Sequence, residues 1–398
     1  MACSGATPGL PTIMPAMRER GGTSVSNWTQ GEESRWGFLH VRELTRTARV
    51  GRGDGPVVPL PRKKRDLPTL GFNHRGRKVG FEEWVAETYT DGLLVMQDGA
   101  VVYENYFDGM ESTDTHLIMS ASKSFTGVLC GILVEADLLG TDDLVTAHLP
   151  ELVGTSWEGC TIQHLLDMRA GTRWDHDADE LRLLEVSDYH GRSSTDLPAD
   201  TEDWIRTIDN QQAHGGDFHY TSLMTDVLAW ILERASGERF PELFSRLIWS
   251  KLGAEQDADL MVDASGFPLA EGGFCTTLRD FARFGLMCFQ SGAYTGGRVA
   301  PAKWFERLYV RDRELIEAYA NCPEFDPAAP NAFYHDQWWI WDAETRVFQA
   351  SGMSGQSLLI HHPSRVVVAK LSTFPDGLGQ DYFALDGAGL AALCEALS

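Results

Sequence analysis

Basic residues are scarce in this 398-residue chain: 34 Lys and Arg stand against 57 Asp and Glu, a formal net charge of −23. Nucleic acids and anionic membrane surfaces are bound through clustered cations, so neither is an expected partner. Long apolar runs are missing too. No stretch approaches the ~20 apolar residues of a membrane-spanning helix, and the opening Met1–Gly22 lacks the apolar core of a secretion signal. A cytoplasmic location is expected. Cysteine is sparse, seven in all with no Cys-x-x-Cys spacing, which fits reduced thiols better than a disulfide framework or a zinc site. Asn27-Trp28-Thr29 matches a glycosylation sequon, and in a chain without a signal it reads as coincidence. What is present, 43% hydrophobic and 23% charged residues, is the composition of a soluble globular protein. Its length allows two domains, or one with a large insertion.

Residues 1–79 are rich in Gly, Pro and Arg, carry a basic knot at Arg62–Arg65 and show little periodicity. An irregular wrap over the surface is expected there. A short helix is expected at Phe81–Thr88. Then two apolar runs, Leu93–Met96 and Val101–Tyr103, flank Asp98-Gly99, the pattern of a β-hairpin. From Asp142 to about Pro241 the chain reads as helices and loops, among them Thr161–Met168 and an acidic, His-bearing segment, Trp174–Tyr189. Asp175, His176, Asp177, Asp179 and Glu180 invite a metal-site reading, but their alternation fits a solvated loop and no His-x-x-x-His spacing supports a metal. His361 and His362, adjacent on a strand, point to opposite faces and are not expected to share a ligand. Helices are predicted over Leu223–Arg234, Leu278–Phe289 and Phe383–Leu397, and strands over Gln337–Trp341, Val347–Ala350, Ser357–Ile360 and Val366–Leu371. Strands at both ends with helices between them predict one sheet built from distant segments, with the helical middle set against it.

One local arrangement looks like chemistry. Val128, Leu129, Ile132 and Leu133 recur at helical spacing, so a buried helix is predicted to begin near Ser120, and Ser120 and Lys123 then share one of its faces. A Ser hydroxyl is a poor nucleophile until a base takes its proton, and a Lys held in a dry pocket can be that base. The free N–H groups of a helix start favour developing negative charge.

Taken together, Ser120-x-x-Lys123 at a helix start after a hairpin, Tyr220-x-Ser222 further on, and the Gly-rich Gly352-Met353-Ser354-Gly355 near the end resemble the serine β-lactamase and penicillin-binding-protein superfamily. Within it the likeness is to the 6-aminohexanoate-dimer (nylon-oligomer) hydrolases and the class C β-lactamase-like esterases. It is clearest in Ser34–Phe38, Met119–Ser124, Tyr220–Glu233 and Gly352–Gln356. The resemblance implies an α/β (α+β) fold, an antiparallel sheet flanked by helices plus a helical domain, with the sheet domain from residues 80–130 and 265–398, the helical domain from 131–264, and the active site between them. It implies Ser120 as acylated nucleophile, Lys123 as base and Tyr220 as proton shuttle, with backbone N–H groups of Ser120 and Met353 as oxyanion hole. Trp174, Tyr189, Ser222, Glu271 and Ser354 become the substrate-contacting positions. No metal and no organic cofactor is expected. The expected partner is a small-molecule ester or amide, and a homodimer is left open.

This chain departs from the family's patterns at several positions. Met353-Ser354-Gly355 replaces the Lys-Thr-Gly with which β-lactamases hold a carboxylate. Ser354 stands where the nylon-dimer hydrolases have His, Ala178 where they have a Tyr associated with amide cleavage, and Glu271 where they have Asn. An acid at 271 suggests affinity for an amine or another positively charged group. The expected activity is therefore hydrolysis of carboxylic esters ahead of linear amides such as 6-aminohexanoate oligomers, with penicillins and cephalosporins poor substrates. A biosynthetic acyltransferase or amidase, or a catalytically silent ligand-binding homologue, are the alternatives on the same fold. The presence of Ser120, Lys123 and Tyr220 together counts against a silent protein.

Overall fold

The Asp98-Gly99 pair closes its hairpin with two left-handed residues, φ 53° and 77°, the geometry an Asp-Gly turn supplies. In the computed structural model, which describes residues 23–398 apart from 25, 66, 68, 192–195, 323–326 and 328, this hairpin joins Thr90–Gln97 to Ala100–Tyr106. Residues 1–22, on which the secretion-signal reading and Cys3 fall, lie outside the described residues. The hairpin is one edge of a seven-stranded antiparallel sheet. The strand order is Phe333–His335, Trp338–Asp342, Val347–Gly352, Gln356–His361, Val366–Ser372, Thr90–Gln97, Ala100–Tyr106.

Every residue of Thr90–Gln97 is buried, because both faces of the sheet are covered. Successive side chains point to opposite faces, so Leu93 and Val95 pack with Trp84, Leu390 and Leu393 of the flanking helices, while Leu94 and Met96 join the main core with Phe281 and Phe284. Burying such side chains stabilises the fold by about 1.5–3 kcal/mol each. The Leu278–Phe289 helix covers the second face, its start fixed by Thr277, whose side chain accepts from the Asp280 N–H. Six cysteines, Cys130, Cys160, Cys275, Cys288, Cys322 and Cys394, are buried, and none of them is in a disulfide among the described residues.

Two stretches differ from expectation. Residues 33–50 and 71–80 are not irregular: they hold short helices at Glu33–Gly37 and Val41–Leu44, a hairpin of Gly71–His74 with Arg77–Gly80, and the strand Thr47–Val50, whereas the described residues of 51–70 carry no helix or strand, as expected. That strand opens a second, four-stranded sheet with Ala258–Met261, Phe274–Thr276 and His116–Leu117. Each of these pieces is too short to show periodicity and is held by partners far away, as Arg42 is by Asp259 at 2.6 Å. The acidic segment is a helix, His176–Val186, rather than a solvated loop. Asp175 accepts from the Ala178 N–H at 2.9 Å at its start, acidic groups suit a helix N-terminus, and Leu183 and Val186 bury one face.

Candidate active site

Ser120 lies in a 3₁₀ turn, Met119–Ala121, one step before the α-helix Ser122–Glu135. Met119 is left-handed at φ 46°, a conformation that costs a non-glycine residue about 1–3 kcal/mol. Packing holds it there, since the Met119 side chain is clamped among Trp28, Leu117 and Met261. Beneath the helix, Phe125 sits against Phe284 with ring centroids 3.9 Å apart.

Lys123 is 1% exposed. Its Nζ lies 3.0 Å from Ser120 Oγ, 3.2 Å from Ser222 Oγ and 2.7 Å from the carbonyl oxygen of Glu271, so each of the three ammonium hydrogens has an acceptor. In the neutral amine one of these contacts reverses, and the Ser120 hydroxyl can donate to the lone pair. Lys123 Nζ also stands 5.1 Å from the ring centroid of Tyr220. Trp339 stacks on the Tyr220 ring at 5.5 Å and Tyr334 meets it edge-on at 5.9 Å. Burial raises the Tyr220 pKa, with the Lys123 charge and a hydrogen bond to Ser120 working against burial, so the phenol holds its proton until one is needed.

The sheet approaches the nucleophile through Gly352, the last residue of Val347–Gly352. A Cβ there would lie 3.1 Å from the Ser120 nitrogen and 2.5 Å from the Ile118 oxygen, so only glycine lets the strand end come this close. Met353 follows directly and opens the turn Met353–Gly355.

Of the five positions expected to meet substrate, Ser222 and Glu271 are brought to Lys123. The other three are as buried as these two and are held by other partners. Ser354 is fully buried at φ 62°, with its N–H donating to Gly377 and its carbonyl accepting from Phe374. Tyr189, 1% exposed, stacks on Trp28 and gives its hydroxyl to Glu271, which makes it a support for Glu271. Trp174 stacks on Trp204 at 5.4 Å, and its carbonyl lies 3.0 Å from His219 Nε2, steadying the approach to Tyr220. Whether such a side chain faces a cleft or a core is set by non-local packing that a sequence motif does not carry. Ala178 is exposed on the 176–186 helix.

Three acids complete the surroundings. Burial pushes the Glu271 carboxyl up to about 7, with Lys123 opposing the rise and Glu180 adding to it. Asp226, one turn beyond Ser222 and fully buried, accepts the Glu271 N–H at 3.2 Å, and burial followed by the Glu271 charge drives its carboxyl upward. Ser222 Oγ donates to Glu180 Oε1 at 3.0 Å. Asp226 could have been suspected from its i+4 relation to Ser222; Glu180 gave no such signal.

A metal-like cluster lies elsewhere: Asp167, His335 and Asp336 place ligand-type atoms within 4.8 Å of one another. The protein's own cations already fill it. His335 Nδ1 lies 2.7 Å from Asp167, His335 Nε2 3.3 Å from Asp336, and Arg307 Nε 2.6 Å from Asp336, so the cluster is an ion network.

The beta-lactamase family model matches residues 85–392. The chain is 34% identical over 367 residues to the 6-aminohexanoate-dimer hydrolase of Paenarthrobacter ureafaciens, covering 89% of each. The chain belongs to the beta-lactamase family. It is a serine hydrolase of that family. Among solved structures, a Bacillus anthracis protein assigned as a 6-aminohexanoate-dimer hydrolase superposes with TM-score 0.87 at 24% identity, over 95% of this chain and 98% of that one. EstCE1, described as a hydrolase with promiscuous acyltransferase activity, gives 0.58 at 17% identity over 77% and 96%. At these identities the superpositions speak to the beta-lactamase fold alone. Among the described residues no helix is long and apolar enough to cross a membrane.

Proposed function

We propose that the protein hydrolyses carboxylic esters, and linear amides more slowly, through an acyl-enzyme on Ser120. The observation that carries this reading is Lys123 Nζ, buried and 3.0 Å from Ser120 Oγ. Neutral Lys123 takes the Ser120 proton as Oγ attacks the carbonyl carbon. The oxyanion is met by the N–H groups of Ser120 and Met353. Tyr220 gives its proton to the leaving oxygen or nitrogen and recovers one from Lys123. Water then attacks the ester of Ser120 by the reverse route and releases the acid.

Substrate preference follows from the groups around Lys123. Met353 occupies the position where a lactamase lysine would grip a carboxylate, so penicillins and cephalosporins are poor substrates. Ala178 offers no hydroxyl toward a leaving amine, and esters need that help least. Glu271, as its carboxylate, favours acyl groups that carry an ammonium, such as the 6-aminohexanoyl group of the Paenarthrobacter enzyme's substrate. The work is assigned to the cytoplasm, in keeping with buried cysteines that keep their thiols.

The test is kcat/KM for p-nitrophenyl butyrate, nitrocefin and the linear 6-aminohexanoate dimer on one preparation. The butyrate ester is expected to lead. Faster cleavage of the dimer would overturn the weight given to Ala178, and faster cleavage of nitrocefin the weight given to Met353.

A further inference from the structure

Lys123 does not stand on Ser120 alone: its second side-chain partner, Ser222, is itself held by Glu180. Lys123 Nζ to Ser222 Oγ is 3.2 Å and Ser222 Oγ to Glu180 Oε1 is 3.0 Å, a continuous line from the base to an acid on a different helix. Ser222 is 4% exposed, so water does not compete for its hydroxyl. A hydroxyl has one hydrogen, and its direction decides what the lone pairs can do. With that hydrogen on Glu180, Ser222 presents only lone pairs to Lys123 and accepts an N–H from it. The lysine's lone pair then cannot be spent on Ser222, and it is left to the Ser120 hydroxyl. Were Glu180 absent, the Ser222 hydrogen could turn to the neutral amine, and the base would be occupied by the wrong serine.

We propose that Glu180 is a positioning residue for the acylation step, acting through Ser222 to aim the Lys123 lone pair at Ser120. Its charge is felt at the same site from a second direction, for it adds to the upward shifts of both Tyr220 and Glu271. The charged and titratable groups facing Lys123 are thus Glu271, Asp226, Tyr220 and, across Ser222, Glu180. Only Glu180 fixes the direction of a hydroxyl that touches Lys123. It comes from the acidic 176–186 helix, whose sequence pattern alone resembles a solvated surface.

This proposal rests on Ser120 and Lys123 as nucleophile and base, and the experiment separates the two claims. Glu180→Ala, the helix-compatible Glu180→Met and Glu180→Gln are compared with Ser222→Ala, Ser120→Ala and Lys123→Ala, using p-nitrophenyl butyrate. Loss of a hydrogen bond to a charged group predicts a fall of about 10- to 100-fold in kcat for Glu180→Ala and Glu180→Met, with KM unchanged. Glu180→Gln keeps an acceptor for the Ser222 hydroxyl and restores most of that loss. Because Glu180 acts mainly through Ser222, adding Glu180→Met to Ser222→Ala costs far less than Glu180→Met costs alone, only the small part its charge exerts on Tyr220 and Glu271. Wild-type kcat in Glu180→Met, a loss confined to KM, no rescue by Gln, or multiplicative losses in the double variant would each overturn the proposal. If Ser120→Ala or Lys123→Ala keeps its activity, the reading of the nucleophile and base fails instead.

Discussion

Raising the pH is expected to weaken this fold through one imidazole. Burial disfavours the charged form of His335, but Asp336 and Asp167, the latter through a 2.7 Å contact, outweigh burial and carry its pKa to about 9. An unfolded histidine titrates near ~6.5, so the folded protein binds this proton more tightly than the unfolded chain does. The stabilisation is complete below pH ~6.5 and is lost as pH rises through about 9. The gap between about 9 and 6.5, at about 1.4 kcal/mol per pH unit, amounts to about 3 kcal/mol. The ring is 13% exposed, so solvent screening makes that an upper figure. The consequence reaches the active site, because the next turn, Asp336-Gln337, is left-handed at both residues. Gln337 there accepts from Thr225 at 2.8 Å and, through its carbonyl, from Ser124 at 2.7 Å, bracing both helices that carry the catalytic groups. Urea unfolding at pH 6.5 and pH 9.5 is measured for the wild type and His335→Gln. The wild type should lose up to about 3 kcal/mol more than the variant across that interval. Equal losses in the two proteins would refute the reasoning.

Two further outcomes are expected. Lys123→Ala should lower acylation by about 10²–10⁴-fold, while Tyr220→Phe should lose turnover of alkyl esters yet still acylate from p-nitrophenyl esters, whose leaving group needs little proton donation, as stopped-flow release of nitrophenol would show. Glu271, with its carboxyl raised to about 7, should make KM for a 6-aminohexanoyl ester fall as pH rises through about 7, and Glu271→Gln should flatten that dependence.

Long periodic segments were legible in the sequence because their pattern is local. Leu278–Phe289 is predicted and observed over the same residues, and the Asp98-Gly99 turn specifies its own hairpin. The helix expected near Ser120 begins at Ser122, and nothing in Met119-Ser120-Ala121 says that a left-handed Met119, in a cluster with Trp28 and Met261, interposes a 3₁₀ turn before it. The resemblance implies substrate contact for Ser354, Tyr189 and Trp174 but says nothing of their packing, which depends on Gly377, Trp28 and Trp204, none of them neighbours in sequence. Glu180 resembles a solvated residue in sequence because its partner, Ser222, lies on another helix.

The central claim is that Ser120 carries the acyl group. Treating the protein with a fluorophosphonate probe and locating the adduct by mass spectrometry tests it directly. The account predicts a single adduct on the peptide containing Ser120, abolished in Ser120→Ala and slowed in Lys123→Ala. Labelling that persists unchanged in Ser120→Ala would contradict it.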